Sequence, residues 1–146
     1  QRMFTAVNSN VTDVSFFLPG TSTAATTSAF GLIFTDVEIF GGTKLEFFDE
    51  NNVLLYNRNA WVAGNQGLTF LGAVADAGER ISRVRITAGA NTITANGKLG
   101  NPNDDVVVMD DFLYAEPISQ SIPEPSTFVL LTLGLLGGFT LRRTHS

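Results

Sequence analysis

The sequence predicts an all-β domain, a two-sheet antiparallel sandwich of jelly-roll type, followed by a single C-terminal transmembrane helix. Three observations carry this expectation. Short apolar runs separated by Gly, Asn, Asp and Pro recur through residues 1–117, and none keeps a 3.6-residue period over helical length. The runs return at roughly 8- to 15-residue spacing, as antiparallel strands do in sandwiches. Beyond residue 126 the pattern changes to one uncharged apolar run closed by Arg142 and Arg143.

The elements follow in order. Residues 14–18 form the first clear strand, stopped by Pro19-Gly20, and 21–28, almost wholly Thr, Ser and Ala, read as a loop or irregular edge. Residues 30–40 are apolar on both alternating faces in their first half, as a central strand would be, and end at Gly41-Gly42. The alternating run 44–48 and the run 53–56 make a hairpin across Asp49-Glu50-Asn51-Asn52. Residues 57–67 set Trp61 among Asn, Arg and Gly in a loop, and 68–74 are the next strand. In 81–87, Ser82, Val84 and Ile86 share one face while Arg83 and Arg85 share the other. A short strand is expected at Ile93-Thr94, a plain loop over 96–105 and a final strand over 106–114.

Residues 1–117 are thus expected to be one sandwich domain, with 118–122 a linker. The chain has 146 residues, enough for one core, and of its 12 phenylalanines only Phe128 and Phe139 lie beyond residue 123. With 16% charged residues it is globular in composition. The formal net charge is −5, more acidic still without Arg142 and Arg143, and no basic stripe exists to neutralise phosphates, which argues against a nucleic-acid partner. There is no cysteine, so neither a disulfide, a thiol nucleophile nor a thiolate metal site is available. Gln1-Arg2-Met3-Phe4 lacks the basic-then-apolar order of a signal peptide, so the sequence is expected to begin after cleavage or, the favoured reading, to be a fragment.

The tail is the most specific stretch. Pro123-Glu124-Pro125 stops any regular element, 127–141 is uncharged and apolar, and Arg142-Arg143 close it. As a helix, 127–141 would rise roughly 22 Å against a hydrocarbon core of roughly 30 Å. Length alone therefore favours a buried helix, whereas Gly134, Gly137 and Gly138, the lack of a polar face and the basic end favour a membrane segment with its arginines cytoplasmic. This order of parts over 123–146 resembles the PEP-CTERM sorting signal of bacterial exosortase substrates. The resemblance implies an exported protein held briefly in the inner membrane, cut by an exosortase at or near Pro123-Glu124-Pro125, and delivered to the cell surface or extracellular matrix. A permanent anchor and a helix packed on the domain remain as alternatives. The runs 30–38, 45–49 and 70–72 with the closing Val-Val-Met-Asp-Asp-Phe also resemble sandwich domains found upstream of this signal, which carry no established activity.

Catalysis finds little support. His145, the only histidine, lies beyond the apolar run, so no Ser-His-Asp triad or histidine metal site can be assembled. Asp110 and Asp111 are neighbours on an expected strand, where successive side chains take opposite faces, so one carboxylate should lean towards the core. Three structural answers are open: a bulge that releases both to solvent, backbone amides of a nearby loop, or Arg83 and Arg85 across a sheet. A fourth is a structural Ca2+, a hard ion held by oxygen alone, with Asp110, Asp111, Asp36 and Glu38 as candidate ligands. Asp110-Asp111 resembles the aspartate that ends the last strand of many carbohydrate-binding jelly rolls and helps to hold such an ion.

For ligand binding, Trp61 is the leading candidate, able to stack on a sugar ring with Asn57, Asn59, Asn65 and Gln66 as hydrogen-bonding neighbours, unless it folds back to cap the sandwich. Arg80, Arg83 and Arg85 suit either acidic polysaccharide or a plain solvated face. The expectation is a non-catalytic exported protein that binds or organises polysaccharide. The alternatives are a structural surface or matrix protein without a small ligand and, less favoured, a glycan-active hydrolase, which needs two carboxylates facing across a groove.

Overall fold

The computed structural model describes residues 3–101 and 105–119. Nine strands run in order: β1 (Val11–Phe17), β2 (Ala24–Thr26), β3 (Ala29–Thr35), β4 (Lys44–Phe48), β5 (Leu54–Asn59), β6 (Leu68–Val74), β7 (Arg83–Thr87), β8 (Val108–Tyr114) and β9 (Ile118–Ser119). They build two antiparallel sheets, one in the order β5-β4-β7-β1-β2-β9 and the other β6-β3-β8. No helix lies among the described residues, and the all-β reading holds.

The side-chain alternation that predicted the strands also makes the core. In β4, Leu45 and Phe47 are buried; in β7, Val84 and Ile86 are buried while Arg83 and Arg85 face outward. From the other sheet, Phe30, Leu32 and Phe34 of β3, Leu71 of β6 and Met109 of β8 meet them. Phe16 of β1 packs edge-on against Phe30, with ring centroids 6.0 Å apart, which ties the sheets together near the end of β1 and the start of β3. As expected of a central strand, β3 is paired on both sides, from Ala29↔Val74 to Thr35↔Leu68 with β6 and from Phe30↔Tyr114 to Thr35↔Val108 with β8.

Four local readings need correction. Residues 24–26, read as loop, form β2 between β1 and β9, and Ile118–Ser119, read as the start of a linker, form β9. Strands of two or three residues carry too little pattern to stand out. Residues 57–59 continue β5, so Asn57 and Asn59 stand on a strand, opposite Glu46 and Lys44. At Ile93 there is no strand, only isolated bridges to Val7 and Leu99.

The Asp110-Asp111 pair is resolved by a bulge. The β3–β8 register shifts between Gly31 and Ile33, and Asp111 takes a left-handed φ of 49°. The shift changes which side chains face inward, from Met109 before it to Phe112 after it, and both carboxylates come to the outer face. Of the three structural answers, the bulge is the one adopted, and the expectation that one carboxylate leans into the core does not hold.

Two glycines set the approach of β3 to β6. Gly31 and Gly72 are cross-strand partners beneath the Phe70 ring. A Cβ at Gly72 would lie 2.9 Å from the Gly31 Cα and 3.0 Å from the Phe30 carbonyl oxygen, so it would push on backbone. Gly72→Ala is expected to lower the unfolding free energy by about 1–3 kcal/mol, read as a lower urea midpoint at unchanged slope.

Candidate functional site

Two connections meet at one pole of the domain, 36–43 between β3 and β4 and 60–67 between β5 and β6. They are held by backbone bonds as well as by two buried core residues. The Ala60 amide donates to the Thr43 carbonyl at 2.9 Å, and the amides of Ala63 and Gly64 donate to the Val37 carbonyl at 3.0 and 3.1 Å. The Asp36 amide donates to the Gly67 carbonyl at 2.9 Å, and Asp36 Oδ1 accepts the Gln66 amide at 2.8 Å. Val37 and Ala60, both buried, plug the base of the two loops.

A third segment supports them. Asp105, 4% exposed, accepts the amides of Glu38 and Ile39 on Oδ2 at 3.2 and 3.3 Å, while its backbone carbonyl accepts those of Ala90 and Asn91. Gly89 passes so close that a Cβ there would lie 2.5 Å from that carbonyl oxygen. Asp105 Oδ1 is buried with no hydrogen-bond partner among the described residues.

On this base the outer residues are presented to solvent. Trp61 is 67% exposed and Phe40 73%, flanked by exposed Val62 and Ile39. The Trp61 carbonyl accepts the Thr69 hydroxyl at 2.9 Å, which fixes the backbone and leaves the indole outside. Trp61 therefore does not fold back as a cap. Asn59, Asn65 and Gln66, near it in sequence, are exposed as well. Sequence reasoning missed Phe40 and Ile39, which read as the end of a central strand; the Gly41-Gly42 stop behind them was the available signal.

The four candidate calcium ligands are not gathered. Asp36 braces the 60–67 loop, Glu38 is exposed, and Asp110 and Asp111 line a separate groove with Ile33, Thr35 and Leu68. Among the described residues no group of three or more acidic or histidine side chains is placed to hold a metal. In the groove beside β6, Asp76 and Glu79 both come from the turn after β6, whereas a neighbouring groove is lined by Asp49 and Glu50 of the β4–β5 turn together with Glu79.

The arginines are engaged internally. Arg80 donates to the Thr26 hydroxyl and carbonyl. Arg85 grips Asp13 through two bonds of 2.9 and 2.8 Å, and Arg83 reaches the same carboxylate at 3.0 Å while lying over the Phe48 ring.

The described residues thus define an all-β domain with an aromatic loop pole. Residues 121–143 match the PEP-CTERM protein-sorting motif, which implies export with a membrane-held processing step by an exosortase. No curated protein and no solved structure matches the chain. The motif residues Pro123, Glu124 and Pro125, the apolar run 127–141 and Arg142 and Arg143 lie outside the described residues, among which no helix is long and apolar enough to cross a membrane.

The Asp13 cluster gives a pH test. The hydrogen bond from Arg85 holds the Asp13 carboxyl below its ordinary 3.8, helped by the charges of Arg85 and Arg83 and opposed by slight burial. A folded-state value below the unfolded one means stabilisation present above about pH 4 and lost as pH falls through the folded value. The urea midpoint should therefore fall as pH drops below about 4, and Asp13→Asn should make that fall shallower.

Proposed function

We propose that this is a non-catalytic exported protein, passed by an exosortase to the cell envelope or extracellular polymer matrix, where the Trp61 pole binds or organises polysaccharide. The observation that carries this reading is the exposure of Trp61 at 67%, on a loop whose backbone is held by bonds to Val37 and Thr69. A large aromatic ring kept in water forgoes burial worth about 2 kcal/mol or more, a cost that a stacking role would offset. Asn59, Asn65 and Gln66 supply the amide groups that hydroxyl-rich ligands need.

The direction of the chain supports the same reading. β3 ends and β6 and β8 begin at the Trp61 pole, since Thr35 pairs with both Leu68 and Val108. β8 then runs away from it, and β9, antiparallel to β2, runs the same way. The chain leaves the described residues at the far pole, so a domain tethered through the sorting motif would present Trp61 outward. The many pairings between strands distant in sequence, β4 with β7, β7 with β1 and β3 with β8, suit a jelly-roll connectivity.

A structural surface protein without a ligand is the second reading, favoured by the internal engagement of Arg80, Arg83 and Arg85. Binding isotherms with exopolysaccharide purified from the same bacterium, with and without Ca2+, separate the two. Trp61→Ala is expected to keep the circular dichroism spectrum and to weaken binding at least about tenfold, equivalent to roughly 1.4 kcal/mol. No binding by the unsubstituted protein would favour the structural reading. For the sorting step, replacing Pro123, Glu124 and Pro125 together by Ala is expected to leave full-length protein in the membrane fraction, read by intact mass.

A further inference from the structure

The two sheets have four edge strands, and three of them are guarded. β5 carries Arg58 between Asn57 and Asn59 and has a bulge opposite Phe47 and Phe48. β9 is two residues long. β8 holds Asp110, Asp111 and a bulge, and its Met109 exchanges both backbone bonds with Phe4, each at 2.8 Å. Charges, bulges, shortness and cover are the usual devices that stop an edge from recruiting another strand.

β6 has neither charge nor bulge, is seven residues long and is covered only at one end. From Gly67 to Ala75 the sequence contains no charge and no proline, its seven pairs with β3 run without a break, and no described strand pairs with its other side. One end is screened by the 60–67 loop, through the Thr69 to Trp61 bond, so the open part is residues 70–75. Beside it lies a groove of about 430 Å3, walled by Gly72, Ala73, Val74 and Ala75 and floored by Phe47, Leu55, Tyr56 and Ile81. The floor exists because the larger sheet extends past β6 to β5. The groove closes on Asp76 and Glu79, both exposed, with no cation among its lining residues.

We propose that this edge and groove accept an extended segment of a partner protein, apolar at alternate positions and basic at the end that meets Asp76 and Glu79. Pairing with 70–75 would continue the three-stranded sheet by one strand, and the segment's inward side chains would rest on Tyr56 and Leu55. The acidic end selects a basic partner over a second copy. Two β6 strands related by a two-fold axis would place no cation at either acidic end and would drive the two β5 strands, one beneath each groove, into each other.

The test uses a labelled synthetic peptide, two lysines followed by the β3 sequence 29–35. That sequence already pairs antiparallel with β6 on its other side, a direction that puts the lysines at the Val74 end. The full chain is held in nanodiscs, with empty nanodiscs as reference, and binding is followed by anisotropy and by hydrogen exchange. Saturable binding that protects 70–75, weakened at least about tenfold by Asp76→Lys with Glu79→Lys and regained on that variant by a peptide carrying two glutamates instead, is the expected result. Tyr56→Glu, at an exposed position, should also weaken binding. The proposal is overturned by no binding up to about 1 mM, by binding without protection of 70–75, by insensitivity to the charge exchange, or by self-association of the chain that protects 70–75 without peptide.

Discussion

Three strands have to close a core against six, and most of the architecture follows from that mismatch. The strands of the larger sheet opposite β6, β3 and β8 are covered; those at its margins are not. β3 alone in the small sheet is paired on both sides, and Phe30, Leu32 and Phe34 project from it into the shared interior. With no cysteine to staple the layers, contact between rings does much of the joining: Phe4 with Phe112, Phe112 with Phe30, Phe30 with Phe16 and Phe16 with Tyr114. That chain lies on the β8 side, where the N-terminal segment also covers the edge through Phe4. On the β6 side no ring contact among the described residues crosses from one sheet to the other, and a groove lies there.

How far the fold was legible depended on whether the signal was local. Period-two alternation in 44–48 and 83–87 gave the faces of β4 and β7 correctly, because nothing interrupts either strand's pairing to the other. In 108–114 the same rule fails at one residue. A bulge adds a residue without altering composition, so nothing in Met-Asp-Asp-Phe announces that the inward face switches there. β2 and β9 are too short and too small in side chain to be seen except through their partners. The site divides in the same way. Trp61 among Asn and Gly was readable as a loop aromatic, whereas the support it stands on was not. Asp105 meets Glu38 and Ile39 from 67 and 66 residues away, a relation that exists only after the sheets have packed.

The loop pole keeps an apolar ring in water on a backbone that is tied into the fold. Its backbone groups are satisfied by neighbouring loops, and its buried anchors, Val37 and Ala60, are separate residues from the exposed Phe40 and Trp61. Holding and presenting are thus divided between different side chains, so truncating the presented ones removes little packing. The arginine face of the larger sheet is arranged oppositely. There Asp13 takes both Arg83 and Arg85, and the side chains that looked free for an acidic ligand in the sequence are committed to cross-strand bonds.

β6 links the two surfaces. Thr69, near its start, holds the Trp61 carbonyl, and residues 72–75, at its end, wall the groove. The strand has bonded neighbours on only one side, so its open half should be the most readily frayed part of the small sheet, and fraying there would loosen the Thr69 anchor as well. A strand laid against 70–75 would oppose that motion, and the order it adds would reach the base of the Trp61 loop through the backbone of β6 itself. Were both proposed surfaces occupied, they would be chemically unlike yet coupled, because one uncharged strand of seven residues carries both.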